Sequence, residues 1–176
     1  MMNDYKEIWA TPIYESKSPE HVYMEMMNIL NQTNLDCLSD DTNVFTKWVK
    51  ESCRNYLNNF YKNYKDVSII SGYLSKQEQG QSFKTHAHHT ADIAAVYYVD
   101  VRPEHPNIEL IDPRPAHKFN GMFDYNYGKP CIDMRVYEVK PESGKILLFP
   151  AYLLHSVGAN LSPYPRYAFS MNIILL

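Results

Sequence analysis

The stretch His86-Ala87-His88-His89-Thr90-Ala91-Asp92-Ile93-Ala94-Ala95-Val96-Tyr97-Tyr98-Val99 decides how this chain is read. Three of its seven histidines fall within four positions, directly ahead of an apolar run. That run is short, rich in β-branched and aromatic residues and bounded by polar ones, which predicts a buried strand. In extended backbone, side chains two apart share a face, so His86 and His88 can converge on one ion while His89 points elsewhere. Neutral imidazole suits iron, copper, nickel or zinc, and a strand supplies the rigidity that orients two donors. An isolated His-x-His is nevertheless weak evidence for a metal.

Support comes some sixty residues on, in Gly144-Lys-Ile-Leu-Leu-Phe-Pro150 followed by Ala-Tyr-Leu-Leu-His155-Ser-Val157. A buried strand ends at a proline turn and a histidine follows. Alone, His155 reads as a core histidine between apolar neighbours; behind an upstream His-x-His it reads as a third ligand. Eleven positions later Arg166 heads the apolar strand Tyr167–Leu176. A guanidinium entering such a strand is costly unless paired. It either snorkels to the surface or binds a carboxylate bidentately.

Working outward, Val67–Leu74, Ile93–Val101, Ile108–Ile111, Cys131–Val139, Lys145–Phe149 and Tyr167–Leu176 all resemble strands separated by Gly, Pro or Asp. Short strands without intervening helices predict antiparallel sheets closed as a sandwich or barrel. The N-terminal third differs. A short strand is expected over Ile8–Tyr14, interrupted by Pro12 and so near a sheet edge. Ser18-Pro19-Glu20 is read as an N-cap and helix start, with Val22, Met26, Ile29 and Leu30 on one face. A second helix is expected from about Asp41 or Thr42 to Tyr64, with Phe45, Val49, Cys53, Tyr56, Leu57 and Phe60 recurring at helical spacing. Residues 1–65 therefore form a strand plus helical layer and residues 66–176 a β core, in a single domain of 176 residues. His21, His105 and His117 are assigned to the surface.

Composition narrows the function. A net charge of −3 with scattered Lys and Arg gives no footprint for nucleic acid or an anionic membrane. Cys37, Cys53 and Cys131 are odd in number, far apart and in no CxxC pair, so reduced thiols are expected rather than disulfides or zinc. The N-terminus lacks a signal-like apolar stretch, and the longest apolar run, Ile146–Leu154, is too short to span a bilayer, so a cytoplasmic protein is expected.

The ordered combination resembles the Fe(II)/2-oxoglutarate-dependent oxygenases, and more narrowly those of bacteria and tailed phages. That group reads HxHP, then SGVYYL, a later DPR, a G-x-x-x-x-FP-x-x-x-x-H-x-V segment and a closing R-x-x-x-SFN strand. The counterparts here are His86-Ala-His88-His89, Ala94-Ala-Val-Tyr-Tyr-Val99, Asp112-Pro-Arg114, Gly144 to Val157, and Arg166-Tyr-Ala-Phe-Ser-Met-Asn172. The opening Ile-Trp-Ala-Thr-Pro-Ile-Tyr also matches, so the likeness covers nearly the whole chain. His89 departs from the proline, and Ala94-Ala95 from Ser-Gly, in the strand that lines the pocket.

The resemblance implies a mainly β fold, a double-stranded β-helix (a cupin-like jelly roll) with the N-terminal helices packed on its outside. It implies Fe(II), 2-oxoglutarate and O₂ as cofactor and cosubstrates, with ascorbate supportive. His86, His88 and His155 would hold the metal. The wider superfamily uses two histidines and a carboxylate, and Asp92 is the alternative to His88. Arg166 would pair with the distal carboxylate of 2-oxoglutarate, and Tyr97 or Tyr98, whichever faces inward, with Asn172, would contact cosubstrate or substrate; Tyr97 is the choice made here. The implied activity is hydroxylation of a small-molecule or peptidyl substrate; nothing opposes a homodimer. The rival is a cupin metalloprotein, a dioxygenase, isomerase or binding protein without 2-oxoglutarate, which shares the proline-to-histidine spacing but gives Arg166 no task. A non-catalytic β-sandwich with incidental histidines is a third reading.

Overall fold

The computed structural model describes residues 11–32, 43–113 and 136–176. Nine strands and two helices follow in the order β1 (Tyr14–Lys17), α1 (Glu20–Gln32), α2 (Val44–Leu57), β2 (Val67–Gln77), β3 (Phe83–His86), β4 (Ile93–Asp100), β5 (Ile108–Ile111), β6 (Val136–Val139), β7 (Lys145–Pro150), β8 (His155–Val157) and β9 (Arg166–Leu175). The strands make two antiparallel sheets. The major sheet runs β1-β7-β4-β9-β2 and the minor sheet β3-β8-β5-β6.

The architecture has three layers: helices, major sheet, minor sheet. The faces are assigned by strand parity, because successive residues alternate sides. On β4, Ile93, Ala95, Tyr97 and Val99 join the helical core, whereas Ala94, Val96 and Tyr98 join the core between the sheets. Both faces are covered, so the strand is buried from Ile93 to Val99 and its sequence shows no polar alternation. The helices present the expected stripes. Val22, Met26 and Ile29 of α1, and Phe45, Val49, Cys53 and Leu57 of α2, pack on Tyr97, Phe169 and Ile173. Gly72 of β2 faces this layer too, where an added Cβ would lie 2.8 Å from the Phe169 ring.

Several boundaries move. Of the expected strand over Ile8–Tyr14, residues 8–10 lie outside the described residues, and β1 begins only at Tyr14. Ser18 does not cap α1. Its hydroxyl bonds the Tyr97 hydroxyl at 2.9 Å and its N–H donates to the Gly144 carbonyl at 2.7 Å, while the Pro19 carbonyl accepts the first helical bonds. Helix α2 starts after Asn43, whose side chain accepts from the Thr46 N–H at 2.9 Å. It ends at Leu57 rather than near Tyr64, as Asn58 and Asn59 lead into a turn and Phe60 is left exposed. β2 extends three residues beyond the expected end because β9 pairs with it along its whole length. His105 is buried, not on the surface. Its Nδ1 accepts from the Arg102 N–H at 3.0 Å, so its Nε2–H donates to the Tyr164 carbonyl at 3.1 Å. His117, Arg114, Cys37 and Cys131 lie outside the described residues. Among the described residues, no helix is long and apolar enough to cross a membrane.

Candidate metal centre

His86 ends β3 and His155 opens β8, and the two stand directly opposite in the minor sheet. Cross-strand partners share a face, so the rings meet with centroids 4.2 Å apart. His88 lies two residues past the end of β3, and the expectation that the whole His-x-His is a strand is corrected accordingly. Its N–H donates instead to the Ala151 carbonyl at 2.8 Å, which ties it to the turn after β7. Its ring stacks against His155 at 5.1 Å, with the two Nε2 atoms 3.3 Å apart. One ligand atom from each of the three histidines lies within 4.8 Å of the others.

Hydrogen bonds fix which nitrogens can ligate. The Nδ1 of His86 lies 2.7 Å from the Lys84 carbonyl, and that of His155 lies 2.9 Å from the Leu153 carbonyl. A carbonyl only accepts, so both Nδ1 atoms carry the proton and both Nε2 atoms present lone pairs. The ring edge of Phe149, 4.9 Å away, steadies His155. Burial pushes His155 down to about 4, opposed by the Leu153 hydrogen bond and reinforced by His86 and His88. Burial, then His86 and His89, also lowers His88. Both are therefore neutral near pH 7, the form that binds a metal.

Asp92 stands outside the cluster. Its carboxylate accepts from the Leu175 N–H at 2.8 Å, its N–H donates to the Ile173 carbonyl and its carbonyl accepts from the Ala151 N–H. One carboxylate oxygen and both backbone groups thus tie the start of β4 to β9 and the β7 turn.

The cleft that contains the three histidines is also lined by Arg166, Ser75, Ala94, Val96 and Ala168, and measures about 490 Å³ including its open mouth. Arg166 is 2% exposed, and no carboxylate among the described residues pairs with it. Its Nε has no hydrogen-bond partner, and the hydroxyl of Tyr98, whose ring centroid lies 5.2 Å from the guanidinium, has no well-formed bond, only a weak contact with Arg166. Burial lowers the pKa of Arg166, with Tyr98 opposing. Burial raises Tyr98 to about 12, so its hydroxyl keeps its proton.

Tyr97 is corrected here. Its hydroxyl bonds Ser18, and its ring packs edge-on against Phe45 at 5.0 Å and Trp48 at 5.8 Å in the helical layer. Tyr98 instead points to the other side of the sheet, into the buried core between the sheets next to Arg166. Asn172 lies on the same face of β9 as Arg166, paired with Ser71 and Ala94. Sequence reading missed the inner face of β2, where Tyr73 and Ser75 line the cleft. The available signal was parity: residues opposite Arg166 at every second position must share its side once β2 pairs with β9.

Comparison with known proteins agrees with this architecture. The fold is similar to a prolyl-4-hydroxylase from Pseudomonas putida (10% identity, TM-score 0.61, covering 92% of this chain and 86% of that one). It is similar to HygX from Streptomyces hygroscopicus with nickel and 2-oxoglutarate bound (13%, TM-score 0.60, 93% and 81%). It is also similar to EctD from S. alaskensis in its apoform (14%, TM-score 0.61, 93% and 73%). At these identities the likeness shows the fold, a double-stranded β-helix. No curated protein gives a significant sequence match. The family model described as "Putative 2OG-Fe(II) oxygenase" matches residues 73–172, more than half of the chain and the span that carries the three histidines, Arg166 and Asn172. The chain therefore belongs to the 2OG-Fe(II) oxygenase family, whose members are oxidoreductases that use Fe(II) and 2-oxoglutarate.

Proposed function

We propose that His86, His88 and His155 hold Fe(II) through their Nε2 atoms and that Arg166, with the Tyr98 hydroxyl beside it, binds the distal carboxylate of 2-oxoglutarate. The enzyme would then oxidise a C–H bond of a small-molecule or peptidyl substrate. The observation that carries this reading is the pairing, in one cleft, of three convergent imidazoles with a buried guanidinium that has no carboxylate partner among the described residues.

The residues fit the absent groups. A buried cation left unpaired costs several kcal/mol, on the order expected for an uncompensated charge. A carboxylate bound at Arg166 removes that cost and takes up the free Nε–H. Tyr98 retains a proton to donate to the same carboxylate. His86 and His155 cannot rotate without breaking their Nδ1–H bonds, so their lone pairs are aimed before any ion arrives. When bound, iron and 2-oxoglutarate supply with O₂ an oxidant for substrate C–H bonds, the cosubstrate leaving as succinate and CO₂. The walls at Val96, Ile108 and Val157 are apolar and offer water no hydrogen-bond partner there. HygX, of similar fold, holding nickel and 2-oxoglutarate adds support for the cosubstrate.

The test is anaerobic addition of Fe(II) and 2-oxoglutarate, with ascorbate, to the purified protein. The expected result is the weak visible metal-to-ligand band in the wild type and its loss, at equal 2-oxoglutarate, in Arg166→Ala. Absence of the band in both would reject the reading.

A further inference from the structure

We propose that the substrate presents an uncharged hydrogen-bonding group, a hydroxyl or an amide, to a polar strip formed by β2 and β9, with Asn172 as its principal contact. This rests on the oxygenase reading given above. The inner face of the major sheet is divided. Its β7 and β4 half carries Leu147, Phe149, Ala94 and Val96. Its β9 and β2 half carries hydroxyls and an amide, in cross-strand pairs Ser71 with Asn172 and Tyr73 with Ser170, with Ser75 beside Ala168. Side chains paired in this way stand close enough to act on one ligand.

Among the described residues, no charge accompanies the strip. Among the described cleft-lining residues, Arg166 is the only side chain of fixed charge, and in the oxygenase reading the cosubstrate carboxylate would occupy it. Among these residues a charged substrate group would lose its water with no counter-charge, whereas a neutral one meets partners of its own kind. Asn172 shows where. Its amide N–H donates to the Ser71 hydroxyl at 2.9 Å, which orients the side chain and leaves its Oδ1 buried with no partner. In register beside it stands Ala94, whose small side chain leaves room next to that oxygen. An O–H or N–H of the substrate satisfies it. Tyr73, half-exposed on the outermost strand, offers ring and hydroxyl at the mouth.

The experiment uses the full chain loaded anaerobically with Fe(II) and 2-oxoglutarate. A panel of N-acetylated amino-acid methylamides is compared with the matched free amino acids, reading first the perturbation of the visible band and then succinate after admitting O₂. Neutral members are expected to perturb the band at concentrations at least about tenfold lower than their charged counterparts, the cost of a modest unpaired charge. Asn172→Asp is expected to move the preference toward ammonium-bearing members. Asn172→Ser, which removes the amide without adding charge, is expected to weaken the neutral ones. A role in folding alone would change all members together. A normal band with equal or better response to charged members, or with no response to any neutral member, overturns this inference alone. So does an unchanged preference in Asn172→Asp. Absence of the band in the wild type overturns the oxygenase reading and this inference with it.

Discussion

Tyr97 and Tyr98 are neighbours in one strand, both fully buried, yet they live in different chemistry. Tyr97 faces the helices, where its hydroxyl is bonded to Ser18 and its ring is packed by Phe45 and Trp48. Tyr98 faces the minor sheet, where its hydroxyl has no well-formed bond, only a weak contact with Arg166. The contrast extends to the whole sheet. Of the five buried side-chain atoms without a hydrogen bond among the described residues, Gln77 Oε1, Tyr98 Oη, Arg166 Nε and Asn172 Oδ1 lie on the inner face, and only Thr46 Oγ1 belongs to the helical layer. A buried polar atom left unpaired costs about 1–3 kcal/mol. One face is thus built for stability, and the other holds polar capacity in reserve for ligands.

The comparison breaks most readily at the metal. His155→Ala should weaken Fe(II) binding by more than about a hundredfold, since loss of a ligand exceeds the 10–100-fold typical of residues around one. Asp92→Ala should retain iron and instead lose about 0.5–1.5 kcal/mol of stability, because the Leu175 N–H loses an exposed acceptor that water only partly replaces. Metal titration beside denaturant unfolding separates them; equal loss of iron in both variants would make Asp92 a ligand.

Arg166→Ala should weaken 2-oxoglutarate binding by about 1.5–3 kcal/mol, roughly ten- to 150-fold, with Fe(II) affinity retained. Anaerobic calorimetry reads both. Loss of iron as well would mean that Arg166 supports the histidines rather than the cosubstrate.

On the helical face the expected damage is to stability. Gly72→Ala drives a Cβ to within 2.8 Å of the Phe169 ring and should cost about 1–3 kcal/mol through overpacking. Chemical denaturation measures it, and 2-oxoglutarate affinity in the folded protein should stay unchanged.

The smallest and sharpest test is the tyrosine pair. Tyr97→Phe should cost about 1 kcal/mol of stability through the lost Ser18 bond and leave 2-oxoglutarate affinity intact. Tyr98→Phe should weaken 2-oxoglutarate by up to about tenfold, as one hydrogen bond to a charged group allows, with little loss of stability. The opposite assignment of the two effects would invert the faces.

Much of the site was legible in the chain. The spacing of His86, His88 and His155 and an arginine eleven positions beyond pointed to a metal with a carboxylate ligand. These are local patterns, and local chemistry writes them directly. Asn172 was named from the same terminal strand, and parity from Arg166 puts it on the right side. The choice between Tyr97 and Tyr98 was not legible, because β4 is covered on both faces and an apolar run carries no parity. His105 was misplaced for a related reason. Among Pro and Asp residues its sequence looks exposed, and only the distant Tyr164 carbonyl turns it into a satisfied buried group.

By itself the sequence determined that strands follow helices, that three histidines and one arginine are chemically matched to iron and an acid, and that no charge pattern competes with them. Tertiary structure alone decided the rest. It set His88 beyond its strand, gave Asp92 to the backbone of β9, turned Tyr98 inward and lined the cleft with β2. The reason is physical: residue type fixes what a group can bind, but a side chain's face and its competing partners are set by segments sixty to one hundred positions away.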